Sequence, residues 1–184
     1  MNMVLMNALN MEVLNTVLNT THVLITFFLF YFAYYQIKKL NSVNNATFIQ
    51  SITSNFNKAE VMTIFTLLYS NSVKFETNDD IPIFKIDINK TEKIYPKLIY
   101  PEKGYYTAEE MDFYVLNNLD DVGLYVDRRL IKLQDAHTTF GWYVNLVMNN
   151  KAIKSYFDWQ LKFPEESFTF IKLKQLNKRF ETIL

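Results

Sequence analysis

The sequence predicts a mainly α-helical protein, with an N-terminal transmembrane helix followed by a helical cytoplasmic domain that carries a small irregular or β-hairpin insert. An apolar stretch without charges near the N-terminus and helical spacing of apolar residues beyond it predict this class. Only 3 Gly and 4 Pro occur in 184 residues, too few for a turn-rich all-β fold. We expect a tail and membrane helix over residues 1–40 and a domain over residues 41–184, with the insert at about 71–104.

No Asp, Glu, Lys or Arg lies between Glu12 and Lys38, and the second half of this interval reads VLITFFLFYFAYY. A helix needs roughly 20 apolar residues to cross a bilayer. The tyrosines that precede Lys38 and Lys39 resemble an interfacial belt. A cleavable signal peptide, a buried core helix and a helix lying on the membrane surface are the alternatives. The two lysines predict a single-pass protein of the bacterial inner membrane with its C-terminal domain in the cytoplasm.

A polar stripe, consisting of Asn15, Asn19, His22 and Thr26, lies within the predicted span. At about 100° per residue these side chains share an arc of roughly 60°. Leu29 and Phe30 continue the same face with apolar side chains. Because polar groups in lipid need a partner or water, the stripe predicts self-association. It predicts either a homo-oligomer seam or a pore with an apolar constriction at Leu29 and Phe30; alternatively, residues 15–22 lie above the membrane.

The remaining chain is expected to form four or five helices around one core. The sequence Thr107-Ala108-Glu109-Glu110 is typical of a capping box at a helix start, and Gly123 is expected to interrupt that helix. Residues 84–88 alternate with period 2 and predict a short strand, paired with residues 97–100. The other segments, in chain order, are a polar joint at 41–46, a helix over 47–69, helices over 107–122, 124–133 and 136–161, and a last helix that opens at Pro164.

The sequence predicts no enzyme, no cofactor and no metal site. Cys is absent, which removes thiolate ligands and cysteine nucleophiles, and no spacing typical of a catalytic or phosphate-binding motif occurs. His137 beside Asp135 is interpreted as part of a helix start rather than as a general base. Asp120, Asp121 and Asp127 are interpreted as a solvated helix surface rather than as a cation site.

Basic residues are concentrated towards the C-terminus. The segment from Arg128 to residue 184 contains ten basic and five acidic residues, whereas residues 101–127 contain seven acidic residues and one lysine. Aromatic residues are interleaved with the bases, which is compatible with a nucleotide or single-stranded nucleic-acid ligand. A solvated face near lipid headgroups or charge pairing between subunits is the alternative. The candidate ligand-binding residues are Arg128, Arg129, Lys132, Lys151 and Lys154.

The segment from Val115 to Trp142 resembles a family of small bacterial membrane-anchored proteins of uncharacterised function. The shared features are a hydrophobic helix, an Asp-x-Gly break, a basic segment and a helix that begins with Phe-Gly; here they fall at 115–119, 121–123, 128–130 and 140–141. Such proteins are similar in layout to membrane effectors of phage defence, including the Hailong-type channel component, which a nucleic-acid ligand holds closed. The resemblance implies a gated channel that depolarises the membrane in anti-phage defence; the alternative is a non-conducting membrane-anchored binding or scaffold module.

Overall fold

A computed structural model describes the backbone of residues 2–78, 80–95, 98, 100–163 and 169–183, with side chains from residue 15 onwards except that of residue 94. Within this part the chain is mainly helical, with a long apolar helix at the N-terminus and a small antiparallel sheet in the domain that follows, as predicted. It divides into two compact units, Met1–Thr47 and Phe48–Leu184.

Helix α1 covers Asn2–Phe56, and α2 covers Ala59–Tyr69. The expected joint at residues 41–46 is wrong, because that segment is helical. Its asparagines have only moderately lower helix propensity than alanine, and it contains neither Gly nor Pro to end a helix. The single helix expected over 47–69 is wrong as well, since Lys58 has an extended backbone (φ −64°, ψ 141°) and separates α1 from α2.

Three strands form one antiparallel sheet in the order β1-β2-β3, namely Val73–Asn78, Ile81–Ile86 and Tyr105–Thr107. The insert therefore contains the predicted hairpin, but with other partners. Phe84 lies opposite Phe75 on β1 and opposite Tyr106 on β3, not opposite residues 97–100. Residues 97 and 99 lie outside the described part. Ile88 belongs to a short helix, α3 (Ile88–Ile94), because the Asp87 carboxylate accepts the Lys90 amide and starts a helical turn.

The predicted capping box begins the next helical stretch. The Thr107 hydroxyl accepts the Glu110 amide (3.2 Å), and the Glu110 carboxylate accepts the Thr107 amide (2.8 Å). The stretch runs through α4 (Ala108–Met111), a π-helical turn (Asp112–Leu116) and α5 (Asn117–Asp127). The interruption expected at Gly123 is wrong, since this glycine lies inside α5. Its missing side chain serves packing: a Cβ would lie 2.5 Å from the Lys172 carbonyl oxygen.

Three helices complete the described fold: α6 (Leu133–Asn149), α7 (Lys151–Gln160) and α8 (Ile171–Glu181). The run expected over 136–161 is two helices, because Asn150 has an extended backbone and caps α7 through the amides of Ala152 and Ile153. The expected helix over 124–133 is wrong: α5 already contains residue 124 and ends at Asp127. The helix start expected at Pro164 lies outside the described residues.

The core of the second unit lies between these helices and one face of the sheet. Burying a large apolar side chain in this core contributes about 1.5–3 kcal/mol to stability before the loss of conformational entropy is counted. Asn150 is the polar exception that ties distant segments together, since its amide donates to the Leu68 carbonyl at the end of α2 (2.9 Å). The largest fully buried side chains are those of Phe56, Phe65, Phe84, Phe140, Ile64, Leu67, Leu68, Met111, Leu116, Leu119, Ile131 and Ile153.

Candidate membrane and association surface

The apolar part of α1 is uncovered. An 18-residue stretch of this helix has a mean hydropathy of 1.5 and at most two charged residues. None of this stretch is buried within the described chain. Phe28 is 74% exposed and Phe30 is 72% exposed. A soluble protein rarely leaves a contiguous apolar surface of this length in water. One described helix is thus long and apolar enough to cross a membrane.

The polar stripe is uncovered as well, and its side chains differ in whether they have a hydrogen-bond partner within the helix. The Thr26 hydroxyl donates to the His22 carbonyl of its own helix (2.8 Å), and Thr20 and Thr21 donate similarly to Thr16 and Val17. Such back-bonding satisfies a hydroxyl without any external partner. By contrast, the side chains of Asn19 and His22 make no hydrogen bond to any described residue. Asn15 likewise makes no hydrogen bond to a described residue, so these three amide and imidazole side chains are the candidates for contacts outside the chain.

Leu29 and Phe30 are exposed on the same helix, and nothing in the described chain covers them. Along α1, the step from Asn15 to Thr26 corresponds to about 16 Å at 1.5 Å per residue, and Leu29 lies one turn further. A shallow apolar groove on the helix surface, with Leu29 among its lining residues, also contains Leu24, Ile25, Phe28 and Phe32. Of these groove residues, Leu29 is the one that continues the face of the polar stripe.

The predicted ligand-binding residues do not meet in one place. Arg128, Arg129 and Lys132 lie in the connection before α6, whereas Lys151 and Lys154 lie in α7, directly after α6. A 17-residue helix is about 25 Å long. The two groups are therefore near opposite ends of α6, and a single small ligand cannot contact both.

Arg129 has a structural role at the end of α5. Its backbone is left-handed (φ 59°), and the amides of Arg129 and Leu130 donate to the carbonyls of Val126 (3.0 Å) and Tyr125 (2.9 Å). This is the Schellman ending, in which glycine is the usual residue at the left-handed position. The same arrangement ends α2, where Asn71 (φ 50°) is left-handed and Ser72 donates to the Leu67 carbonyl.

Two of the acidic residues near Gly123, Asp120 and Asp127, connect α5 to α8. The Asp127 carboxylate pairs with Lys172 and Arg179, both at 2.7 Å. The hydrogen bond from Lys172 is the main cause that lowers the pKa of Asp127. Asp120 accepts the Leu173 amide in the first turn of α8 (2.8 Å). Sequence reasoning missed these contacts, because more than forty positions separate the partners along the chain.

The described residues contain no group of three His, Asp or Glu side chains that could hold a metal ion. His137 packs edge-on against the Phe180 ring, with the centroids 5.0 Å apart. The helix that contains it begins at Leu133, not at Phe140-Gly141 as the resemblance implied.

Comparison of the chain with protein-family models, with curated proteins and with solved structures finds no significant match.

Proposed function

We propose that this chain is an oligomeric membrane protein in which copies of α1 span the bilayer and associate through the polar stripe. The observation that carries the proposal is the combination on one helix of a long uncovered apolar surface with Asn19 and His22, which lack hydrogen-bond partners among the described residues. In lipid, an amide or imidazole of this kind is stabilised by a neighbouring helix or by water. Lys38 and Lys39 orient the second unit towards the cytoplasm.

The assembled helices form a gated pore in this proposal. Asn15, Asn19, His22 and Thr26 face the axis and contact water, while Leu29 and Phe30 form an apolar constriction that dewets when closed. Opening the pore depolarises the membrane, which fits the anti-phage effector role that the resemblance implies. A nucleotide or nucleic-acid ligand at the cytoplasmic domain controls opening. Such a ligand would contact Arg128, Arg129 and Lys132 or the separate pair Lys151 and Lys154, and only an extended strand would reach both groups.

The experiment is a comparison of membrane potential in bacteria that express the full chain or the double variant Asn19→Leu/His22→Leu. We expect depolarisation by the wild type and its loss in the variant, because a leucine side chain can form hydrogen bonds neither with pore water nor with a neighbouring helix. Thr20→Leu is the matched control, since Thr20 lies on another face of α1 and its hydroxyl is satisfied by Thr16. Equal depolarisation by the wild type and the double variant would exclude a pore lined by this stripe.

A non-conducting anchored module is the second candidate, favoured by the separate core of the unit Phe48–Leu184. In that case α1 only localises the domain, and expression leaves the membrane potential unchanged. Oligomeric state in detergent separates the two candidates: a monomer excludes the pore, and an oligomer that dissociates in the Asn19→Leu/His22→Leu variant supports association through the stripe.

A further inference from the structure

The outer edge of strand β1 has backbone groups that pair with no other described strand; Val73 at its start is buried, whereas Glu76, Thr77 and Asn78 are exposed. The amide of Ile86 donates to the carbonyl of Gly104, so Ile86 and Phe84 direct their backbone groups towards β3. In an antiparallel sheet alternate residues point to opposite sides, so Ile83 and Lys85 point towards β1. Their opposite residues, Glu76 and Lys74, then point back towards β2. Val73, Phe75 and Thr77 therefore direct their N–H and C=O groups outwards.

Pro82 supports this assignment independently. It belongs to the set of β2 residues that face away from β1, where its missing N–H costs no hydrogen bond to that strand. The two strands pair over six consecutive positions without a bulge. In the described part of the chain, the outward backbone groups of β1 have no partner strand, since β1 is the first strand of the sheet.

The charged side chains of β1 are incompletely matched within the chain. Lys74 lies opposite Lys85, an unfavourable like-charge pair. Lys85 forms its ion pair with Glu76 (3.5 Å), and Lys74 has no ion pair among the described residues. On β1, Lys74 thus lacks an ion pair within the described chain, and the carboxylate two positions further along, that of Glu76, is 46% exposed.

We propose that β1 pairs antiparallel with β1 of a second copy of this chain, with Phe75 opposite Phe75 of the partner subunit. This register brings outward-facing residues opposite one another, Val73 opposite the partner's Thr77 and the reverse. It also places Lys74 opposite the partner's Glu76 on both sides of the two-fold axis, which matches the cation left unpaired within the chain. The result is a continuous six-stranded sheet across the dimer.

The charges select this register over its neighbours. Only registers in which the outward-facing residues Val73, Phe75 and Thr77 lie opposite outward-facing residues of the partner strand allow hydrogen bonds between the two strands. The neighbouring registers therefore differ from the proposed one by a shift of two residues. One step in one direction places Lys74 opposite the partner's Lys74, and one step in the other places Glu76 opposite the partner's Glu76. Both alternatives oppose like charges, whereas the proposed register alone is charge-complementary and keeps the longest overlap. The pairing involves the second unit only and does not depend on conduction or on the polar stripe.

Disulfide cross-linking reads the register directly, because the chain contains no cysteine of its own. Two tagged full-length chains, one with Lys74→Cys and one with Glu76→Cys, are co-expressed and oxidised in membranes. In the proposed register these two positions are a close pair with about 4.5 Å between Cα atoms, within disulfide reach. Two copies of either single variant place their cysteines about 8 Å apart, beyond that reach.

We expect disulfides between the differently tagged chains and almost none between identical chains. Efficient self-linking of Lys74→Cys or of Glu76→Cys indicates one of the like-charge registers and overturns the proposal. Absence of any cross-link overturns it as well, and indicates that Lys74 instead protects an unpaired edge, a common use of lysine on edge strands.

A charge reversal separates pairing from folding. Lys74→Glu removes the like-charge pair with Lys85, so the unfolding temperature of the domain is expected to hold or rise. The same change opposes the partner's Glu76 twice, which is expected to weaken association about tenfold. Dissociation is measured by dilution of the full chain in detergent, in the Asn19→Leu/His22→Leu background so that helix association contributes least. Lys74→Glu/Glu76→Lys is expected to restore association; an unchanged dissociation constant in Lys74→Glu overturns the proposal.

Discussion

Replacing Gly123 by alanine tests whether the contact between α5 and α8 or the local helix propensity dominates at this position. Propensity alone favours alanine by about 1 kcal/mol. The new Cβ, however, would lie 2.5 Å from the Lys172 carbonyl oxygen and 2.7 Å from its carbonyl carbon. Because both atoms are backbone, no side-chain rotation relieves the contact. The start of α8 must retreat by about 0.9 Å to reach ordinary contact distance, a form of overpacking that costs about 1–3 kcal/mol.

The retreat also lengthens the hydrogen bond from the Leu173 amide to Asp120, now 2.8 Å. Losing part of a charge-assisted bond adds on the order of 1 kcal/mol. Subtracting the propensity gain leaves a net destabilisation of roughly 2 kcal/mol, or a fall in Tm of about 6 °C for a domain of this size. Thermal unfolding of the full chain in detergent, followed by tryptophan fluorescence, measures it, because Trp142 and Trp159 both lie in the second unit.

Gly141→Ala is the matched control. Gly141 also lies inside a helix, but its added Cβ would meet the His137 ring at 3.2 Å, and that side chain can shift by a few tenths of an ångström. We therefore expect an unchanged or higher Tm, because helix propensity stabilises the alanine variant by up to about 1 kcal/mol. If Gly123→Ala is as stable as Gly141→Ala, the close approach of α8 to α5 is not what requires glycine at residue 123, and the reasoning fails.

Three further substitutions test other contacts in the same unfolding assay. Asn150→Ala removes the cap of α7 and the bond to Leu68, and a loss of about 2–4 kcal/mol is expected from these buried hydrogen bonds; a loss below 1 kcal/mol would show that they are not needed. Arg129→Gly relieves a left-handed backbone and is expected to stabilise by about 1 kcal/mol, whereas Arg129→Lys should change nothing; destabilisation by glycine would contradict the assigned ending of α5. Burial raises the pKa of Glu110, but the hydrogen bonds from Lys103 and Thr107 outweigh it and leave that pKa below its ordinary value of 4.5. The Glu110 contribution is therefore complete above pH 4.5 and is lost as pH falls through the lowered pKa, so the Tm difference between the wild type and Glu110→Gln should shrink in acid, and a difference that grows there would refute it.

Sequence alone determined the features whose causes are local. A charge-free apolar interval specifies a helix that water does not favour, whatever the rest of the chain does. The capping box at Thr107 and Glu110 joins residues three apart, so its partners are visible in the sequence. The alternation around Phe84 indicated a strand, although not its partners. The polar stripe follows from helical periodicity alone, and Asn19 and His22 can be identified on it without any tertiary contact.

Tertiary structure decided whatever depends on residues far apart in the chain. The sequence predicted a helix interruption at Gly123, because the contact that requires glycine there is with the backbone of Lys172, about fifty positions later in the chain. The basic residues looked like one cluster, and the length of α6 separates them. The free edge of β1 emerged only from the order of the strands. Local propensities differ by about 1 kcal/mol or less for most residues, whereas a backbone clash or an unsatisfied buried hydrogen-bonding group costs about 1–3 kcal/mol. Distant contacts therefore outweigh local preference at a position such as Gly123.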